Sequence, residues 1–188
     1  IEDIFKVDSS PHEIEVFKKM VEYLLECNVK TKRDLQKELA ICRRKYRPVN
    51  PKHSDLLRQL RECQDHRNYE TLFNSLITTR VRSNSGVLVI TVVTSPYPEV
   101  DGKKQKFSCE WNCYYCPNEP GQPRSYLHDE PAVIRANAND FDPVMQFVDR
   151  ANTMYVKGHK VDKIELIVLG GTWDSYQEQY RSNFVRDL

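Results

Sequence analysis

The chain has 188 residues, 39% of them apolar and 29% charged, with a formal net charge of +1. That length suits one ordinary domain, or a small helical domain joined to part of a larger one, and the composition excludes a disordered or fibrous chain. No apolar run approaches the roughly 18–20 residues of a membrane-spanning helix, and the N-terminal IEDIFKVDSS lacks a basic region followed by an apolar stretch. The expectation is an intracellular protein with no membrane partner, cytoplasmic, with the nucleus open if the source is eukaryotic.

The first part reads as helical. Ser10-Pro11-His12-Glu13 has the form of a capping box with proline at the first helical position, and Ile14, Phe17, Met20, Val21, Leu24 and Leu25 recur on one face, which predicts a helix over about 11–26. Thr31 and Asp34 open a second helix, with Leu35, Leu39, Cys42 and Tyr46 on one stripe and Pro48 and Pro51 ending it. Leu56, Leu57, Leu60 and Cys63 give a third, and TLFNSLIT a short fourth. Between Lys30 and Arg67, twelve Lys or Arg stand against five Asp or Glu, so a basic segment is hidden inside a nearly neutral chain. Lys32, Arg33, Lys37, Arg43, Arg44, Lys45 and Arg47 lie off the apolar stripe of the second helix. A cationic helical surface neutralises phosphates and gives RNA a sequence-independent affinity that falls with salt. Solvated charges on an ordinary helix are the alternative. The expected first domain, 1–80, is therefore a helical, basic RNA-binding domain, with Lys32, Arg33, Arg43, Arg44, Lys45, Arg47, Arg80 and Arg82 as candidate contacts.

From Gly86 the pattern changes. VLVITVV is a β-branched run expected to form a strand buried on both faces, stopped by the prolines of SPYPEV. A polar loop leads into three cysteines, and an irregular stretch, PNEPGQPRSYLHDEP, follows them. Asp142-Pro143 caps a helix with Val144, Phe147, Val148, Ala151, Met154 and Tyr155 as its apolar residues and Gly158 at its end. KIELIVLGG is a second buried strand. Ser175 and Glu178 then read as a capping box ahead of Tyr176, Tyr180, Phe184, Val185 and Leu188. Strand, cysteine loop, helix, strand, helix implies a parallel sheet with its functional loop at the C-terminal end of a strand. The fold class expected overall is mixed, α+β to α/β. The sheet would keep an open apolar edge at Leu188, so a fragment, or a chain completed by a partner, is expected.

Cys27, Cys42 and Cys63 fall in helical segments and read as small buried apolar residues. Cys109, Cys113 and Cys116 are clustered in CEWNCYYC, as in a reducing compartment with one metal or cofactor site. A four-iron cubane held by three thiolates leaves one iron free to bind something else. A zinc site completed by His128 or by a cysteine of the helical part, and a cluster of merely buried cysteines, remain as alternatives. Gly170-Gly171-Thr172 ends a strand, where glycines let the backbone approach a ligand or simply make a tight turn.

C-x3-C-x2-C resembles the signature of the radical S-adenosylmethionine (SAM) superfamily. That resemblance implies a 4Fe–4S cluster on Cys109, Cys113 and Cys116, whose open iron chelates SAM and splits it to a deoxyadenosyl radical. It further implies that Gly170, Gly171 and Thr172 approach the methionine end of SAM. Tyr115 matches an aromatic position near its adenine, or else covers the cluster.

The stretches VRSNSGVLVITVVTSPYP, NCYYCP, SYLHDEPAVIRANANDFDP, GHKVDKIELIVLGGTW and YRSNFVRDL, spread over 81–188, resemble one family closely: Elp3, the catalytic subunit of the Elongator complex and its single-chain relatives. The resemblance implies an incomplete radical SAM domain over 81–188, the first βα units of a partial (β/α) barrel. It also implies modification of tRNA, by carboxymethylation of C5 of the wobble uridine, with acetyl-CoA as co-substrate bound outside this chain. Implied partners are tRNA and either further Elongator-type subunits or a second copy of the chain. Two departures stand out: Thr79-Arg80-Val81-Arg82-Ser83 replaces the family's Lys-Pro-Val-Arg-Thr, and Pro117-Asn118-Glu119 replaces Pro-Gly-Gly. A non-catalytic tRNA-binding or scaffold relative, and a radical SAM enzyme acting on another substrate, stay open.

Overall fold

The computed structural model describes residues 9–27 and 29–188, without the side chains of Arg80 and Ser83. The candidate RNA contact by the Arg80 side chain, and most of the N-terminal stretch read above for an export signal, lie outside the described residues. The chain divides into two compact units, 1–88 with 152–163, and 89–151 with 164–188.

The first unit is built on four helices. In α1 (Pro11–Glu26), the Ser10 hydroxyl accepts from the Glu13 N–H while the Glu13 carboxylate accepts from the Ser10 N–H, so the capping box is formed. α2 (Lys32–Lys45) opens on a second reciprocal box, Thr31 with Asp34. Each box satisfies N–H groups that the first helical turn leaves without partners. α3 (His53–Leu60) runs into a 3-10 turn over Arg61–Cys63, and α4 (Tyr69–Leu76) follows. The apolar stripes meet in one core of Met20, Leu24, Leu35, Leu39, Leu56, Leu60, Leu72 and Leu76, each nearly inaccessible to solvent. Burying such a side chain stabilises by roughly 1.5–3 kcal/mol. Polar contacts then fix how the helices pair: the Tyr23 hydroxyl donates to Glu38 at 2.8 Å, joining α1 to α2, and the Asn68 amide donates to the Leu25 carbonyl at the end of α1 at 2.7 Å. Cys42 is buried, and Cys27 and Cys63 pack partly buried against the same core. Burial pushes all three thiols up, Cys42 to about 11, as expected of apolar filling rather than reactive groups.

The second unit holds a small parallel sheet of β1 (Leu88–Val93) and β4 (Ile164–Leu169). Leu88 N–H donates to the Lys163 carbonyl and Thr94 N–H to the Leu169 carbonyl, both at 2.8 Å, and this constant offset along the two strands is that of parallel pairing. Between the strands come a hairpin of β2 (Glu99–Val100) and β3 (Lys103–Lys104), the cysteine loop, α5 (Pro131–Ala138) and α6 (Pro143–Val156). α7 (Glu178–Asp187) ends the chain.

Several expectations are corrected here. The strands are not both buried on both faces: β1 is buried except at Val89 and, in part, Thr91, whereas Leu166, Ile167 and Val168 in β4 are each more than a third exposed. The polar loop before the cysteines contains the hairpin, whose Asp101-Gly102 turn has positive φ at both residues, the geometry that joins right-twisted strands. α5 starts on Pro131, the last residue of the stretch read as irregular, and otherwise covers residues given no element in the sequence reading. The expected Ser175–Glu178 box is absent, since Ser175 closes a 3-10 turn over Trp173–Ser175 and α7 begins after Gln177. In α6, Val144 is exposed while Gln146, not part of the expected stripe, is buried. Its side-chain amide accepts from the Val93 N–H and donates to the Val93 carbonyl, both at 2.9 Å, pairing the edge of β1 that faces away from β4. Among the described residues, no helix is long and apolar enough to cross a membrane.

Candidate functional site

Two motifs far apart in sequence meet in the second unit. The cysteine loop leaves the hairpin through Phe107, whose N–H donates to the Pro96 carbonyl and whose ring stacks on Tyr176 with centroids 4.2 Å apart. This anchoring brings Cys109 to the turn after β4, where its Sγ lies 3.3 Å from the Thr172 hydroxyl and 3.9 Å from the Ser175 hydroxyl. Hydrogen bonding by Thr172, and then by the Trp111 N–H, lowers the Cys109 pKa from the ordinary thiol value. Cys116 lies 3.1 Å from the Ser125 hydroxyl and 3.3 Å from the Arg124 Nε, and those two donors lower its pKa likewise. Cys113 is exposed, and its carbonyl accepts the Cys116 N–H, which folds the loop into a turn.

Donors aimed at sulfur favour thiolates, the form that binds metals. Three thiols on one eight-residue loop, two of them so placed, are the donor chemistry of a cluster bound by cysteine. A single tetrahedral ion, with a metal–sulfur bond of about 2.3 Å, needs its donors tightly converged, and among the described residues no three His, Cys, Asp or Glu side chains, the three loop cysteines included, are so gathered. His128 belongs to no such set among the described residues, and its Nδ1 lies 2.7 Å from a Glu119 carboxylate oxygen. Glu119 also accepts the His128 backbone N–H at 2.9 Å, so the glutamate that departs from the family's glycine is built into the fold of the loop.

Beside the cysteine loop a cavity of about 220 Å³ opens at the C-terminal ends of the two strands, lined by Thr94, Tyr126, Gly170, Gly171 and Trp173 among others. Pockets that enclose a drug-sized ligand run to roughly 300–1,000 Å³, so this one has room for part of such a molecule. Gly170 and Gly171 line it, and both glycines also have a packing reason. A Cβ on Gly170, which has φ +157°, would lie 1.8 Å from Thr94 Oγ1, and one on Gly171 would lie 2.4 Å from the Phe107 ring. Thr172 is turned to the Cys109 sulfur and is not part of the cavity lining. Tyr115 is 86% exposed and also outside that lining. Sequence reasoning missed Thr94, Tyr126 and Trp173 in the cavity wall, and Arg124, Ser125 and Asn112 around Cys116. Only the position of Trp173, next to the glycine-rich turn, offered a local signal.

In the first unit, Lys32, Arg33, Lys37, Arg43, Arg44, Lys45 and Arg47 are all exposed on or just after α2, and Arg82 is exposed near the end of the unit. None of these eight forms an ion pair among the described residues.

No family model matches the chain. A tRNA uridine(34) acetyltransferase of Dehalococcoides mccartyi (strain CBDB1) is 35% identical over 106 residues, which cover 56% of this chain and 21% of that protein. Elongator complex protein 3 of Homo sapiens is 34% identical over 125 residues, 63% of this chain and 22% of the relative. A tRNA uridine(34) acetyltransferase of Methanocaldococcus jannaschii is 32% identical over 142 residues, 73% of this chain and 24% of the relative. The chain thus spans a fifth to a quarter of the length of these curated relatives. Over that stretch it is a relative of the Elongator complex protein 3 family, Elp3.

Proposed function

We propose that this chain carries the cluster-binding and part of the SAM-binding machinery of an Elp3-type tRNA-modifying transferase, with a basic helical unit that grips tRNA. The observation that carries the reading is the 3.3 Å approach of Cys109 Sγ to Thr172 Oγ1, which joins the cysteine loop to the glycine-rich turn beside a cavity. Cys109, Cys113 and Cys116 would hold a 4Fe–4S cluster. Gly170 and Gly171 would line the seat of one end of SAM, with Thr172 holding a cluster ligand rather than SAM itself. When bound, the cluster supplies the electron that cleaves the SAM sulfonium, generating the radical used on an unreactive carbon. The chain's own residues bind, orient and charge-balance: hydroxyl and guanidinium donors favour the thiolate form of two sulfurs, and strand-end backbone groups frame the cavity.

The finer reading, C5 carboxymethylation of wobble uridine with an acetyl-CoA co-substrate, rests on the family resemblance, and no residue here is assigned to acetyl-CoA. Elongator-type subunits or a second copy of the chain would be further partners, in an intracellular setting. Anaerobic reconstitution followed by SAM cleavage assays with tRNA tests the enzymatic claim. Deoxyadenosine is expected from the wild type and not from Cys113→Ala. A wild-type chain with an intact cluster and no deoxyadenosine would refute the claim and favour the scaffold reading; cleavage without uridine modification would point to another substrate.

A further inference from the structure

Arg124 and Ser125 lie at the far end of the loop that starts after Cys116, and both reach back to the same sulfur. Arg124 Nε donates to Cys116 Sγ at 3.3 Å, and the Ser125 hydroxyl lies 3.1 Å from it. The loop is drawn closed by the Ser125 N–H, which donates to the Pro117 carbonyl at 3.1 Å. Ser125 adopts φ +79°, a left-handed conformation uncommon for residues other than glycine, and the hydroxyl contact is made from that geometry. The second arm of the Arg124 fork, Nη2, donates to Asn112 Oδ1 at 2.8 Å. One guanidinium thus bridges the two flanks, Asn112 and Cys116, of the turn that carries Cys113. A planar fork can do this where an ammonium cannot.

Resting on the cluster reading above, we infer that Arg124, with Ser125 beside it, is a positioning residue that holds the Cys116 sulfur and raises the reduction potential of a cluster bound there. The physical reason is charge. Reduction adds an electron to a cluster whose thiolates already carry negative charge, and a cation or hydrogen-bond donor on a ligand sulfur stabilises the reduced form more than the oxidised one. Cys109 is differently served, since its nearby side-chain donors, Thr172 and Ser175, are both uncharged hydroxyls. Among the described residues, Cys116 is thus the ligand to which a fixed positive charge is hydrogen-bonded, while the same guanidinium acts on Cys109 only through space.

The test is anaerobic redox titration of reconstituted full chain, followed by electron paramagnetic resonance, with iron content measured on each sample. Arg124→Gln is expected to keep four irons and to titrate at a more negative midpoint potential than wild type, with Arg124→Lys between the two because it keeps the charge and loses the fork. Ser125→Ala, which removes only a hydroxyl from the same sulfur, is expected to shift the same way by less. Equal potentials in wild type and Arg124→Gln at full iron content overturn the inference. If Arg124→Gln does not assemble a cluster, Ser125→Ala decides, and an unchanged potential there overturns it. A wild-type chain that takes up no cluster overturns the proposed function and this inference with it, whereas a loaded wild type with insensitive variants overturns the inference alone.

Discussion

Gly170→Ala separates a packing role of the glycine-rich turn from a ligand-facing one. The added Cβ would lie 1.8 Å from Thr94 Oγ1, so the threonine side chain must rotate away. That hydroxyl is fully buried and sits 2.7 Å from the Tyr176 hydroxyl, itself only 3% exposed. Breaking the pair strands polar groups in the interior, at a cost of about 1–3 kcal/mol. Holding alanine at φ +157° adds about 1–3 kcal/mol of backbone strain. The expected destabilisation is therefore about 2–6 kcal/mol. Both tryptophans of the chain, Trp111 and Trp173, lie in the second unit, so urea unfolding followed by tryptophan fluorescence reads that unit alone. Repeating the substitution in Thr94→Ala removes the clash and the hydrogen bond beforehand, leaving only the strain and a Cβ contact at 3.0 Å. Gly170→Ala should then cost about 1–3 kcal/mol less than in wild type, a coupling well above the roughly 0.3–0.5 kcal/mol scatter of independent sites. Equal costs in the two backgrounds, at unchanged m value, would refute the reasoning and return the glycine to a purely ligand-facing role.

Gln146→Leu should destabilise the second unit by about 2–5 kcal/mol in the same urea assay, because it strands both the N–H and the carbonyl of Val93. Tyr180, whose hydroxyl accepts the Ser95 N–H at 3.0 Å, has its pKa pushed by burial up to about 12 from the ordinary 10. Its stabilising contribution is complete below pH 10 and is lost as pH rises through 12, so the urea midpoint should fall over that window, and Tyr180→Phe should flatten the fall. The same variant should cost about 1–3 kcal/mol at neutral pH by orphaning Ser95 N–H. For RNA, Arg43→Ala with Arg44→Ala should weaken binding across sequences and reduce the slope of log K against log salt by about 1.4, at about 0.7 per phosphate contact on a single strand. An unchanged slope in filter binding or fluorescence anisotropy would remove these two residues from the interface.

What the sequence states locally, it states well. The boxes at Ser10–Glu13 and Thr31–Asp34 start their helices as read, because each is closed within three residues and no distant group competes for the side chains. Ser175 has the same local pattern and a different outcome: its hydroxyl is directed to Cys109, and the backbone turns in a 3-10 step before α7 begins. The Asp101-Gly102 turn and Pro131 at the start of α5 are local signals legible in the sequence. Gln146 was not legible at all. A polar residue on a buried face is justified only by its partner, and Val93 is more than fifty residues away.

The same division runs through the candidate site, with a chemical consequence. Spacing presents Cys109, Cys113 and Cys116 as three equivalent ligands, since a loop must be short to wrap one metal assembly. Folding makes them inequivalent: hydroxyls of the turn after β4 at the first, solvent at the second, a guanidinium and a hydroxyl at the third. The donors that create the difference come from residues 124, 125, 172 and 175, and no rule of cysteine spacing points to them. Thr172 shows what this costs a motif-based reading. The motif marks it because it follows two glycines, whereas folding sets its hydroxyl 3.3 Å from the Cys109 sulfur, so its loss should disturb Cys109 before it disturbs anything in the cavity. On the proposed reading the motif names the atoms that would bind, whereas the hydrogen bonding around each sulfur, which would tune a bound cluster, is fixed by folding: at Cys116 when the following loop closes back on it, at Cys109 when the turn after β4 is brought beside it.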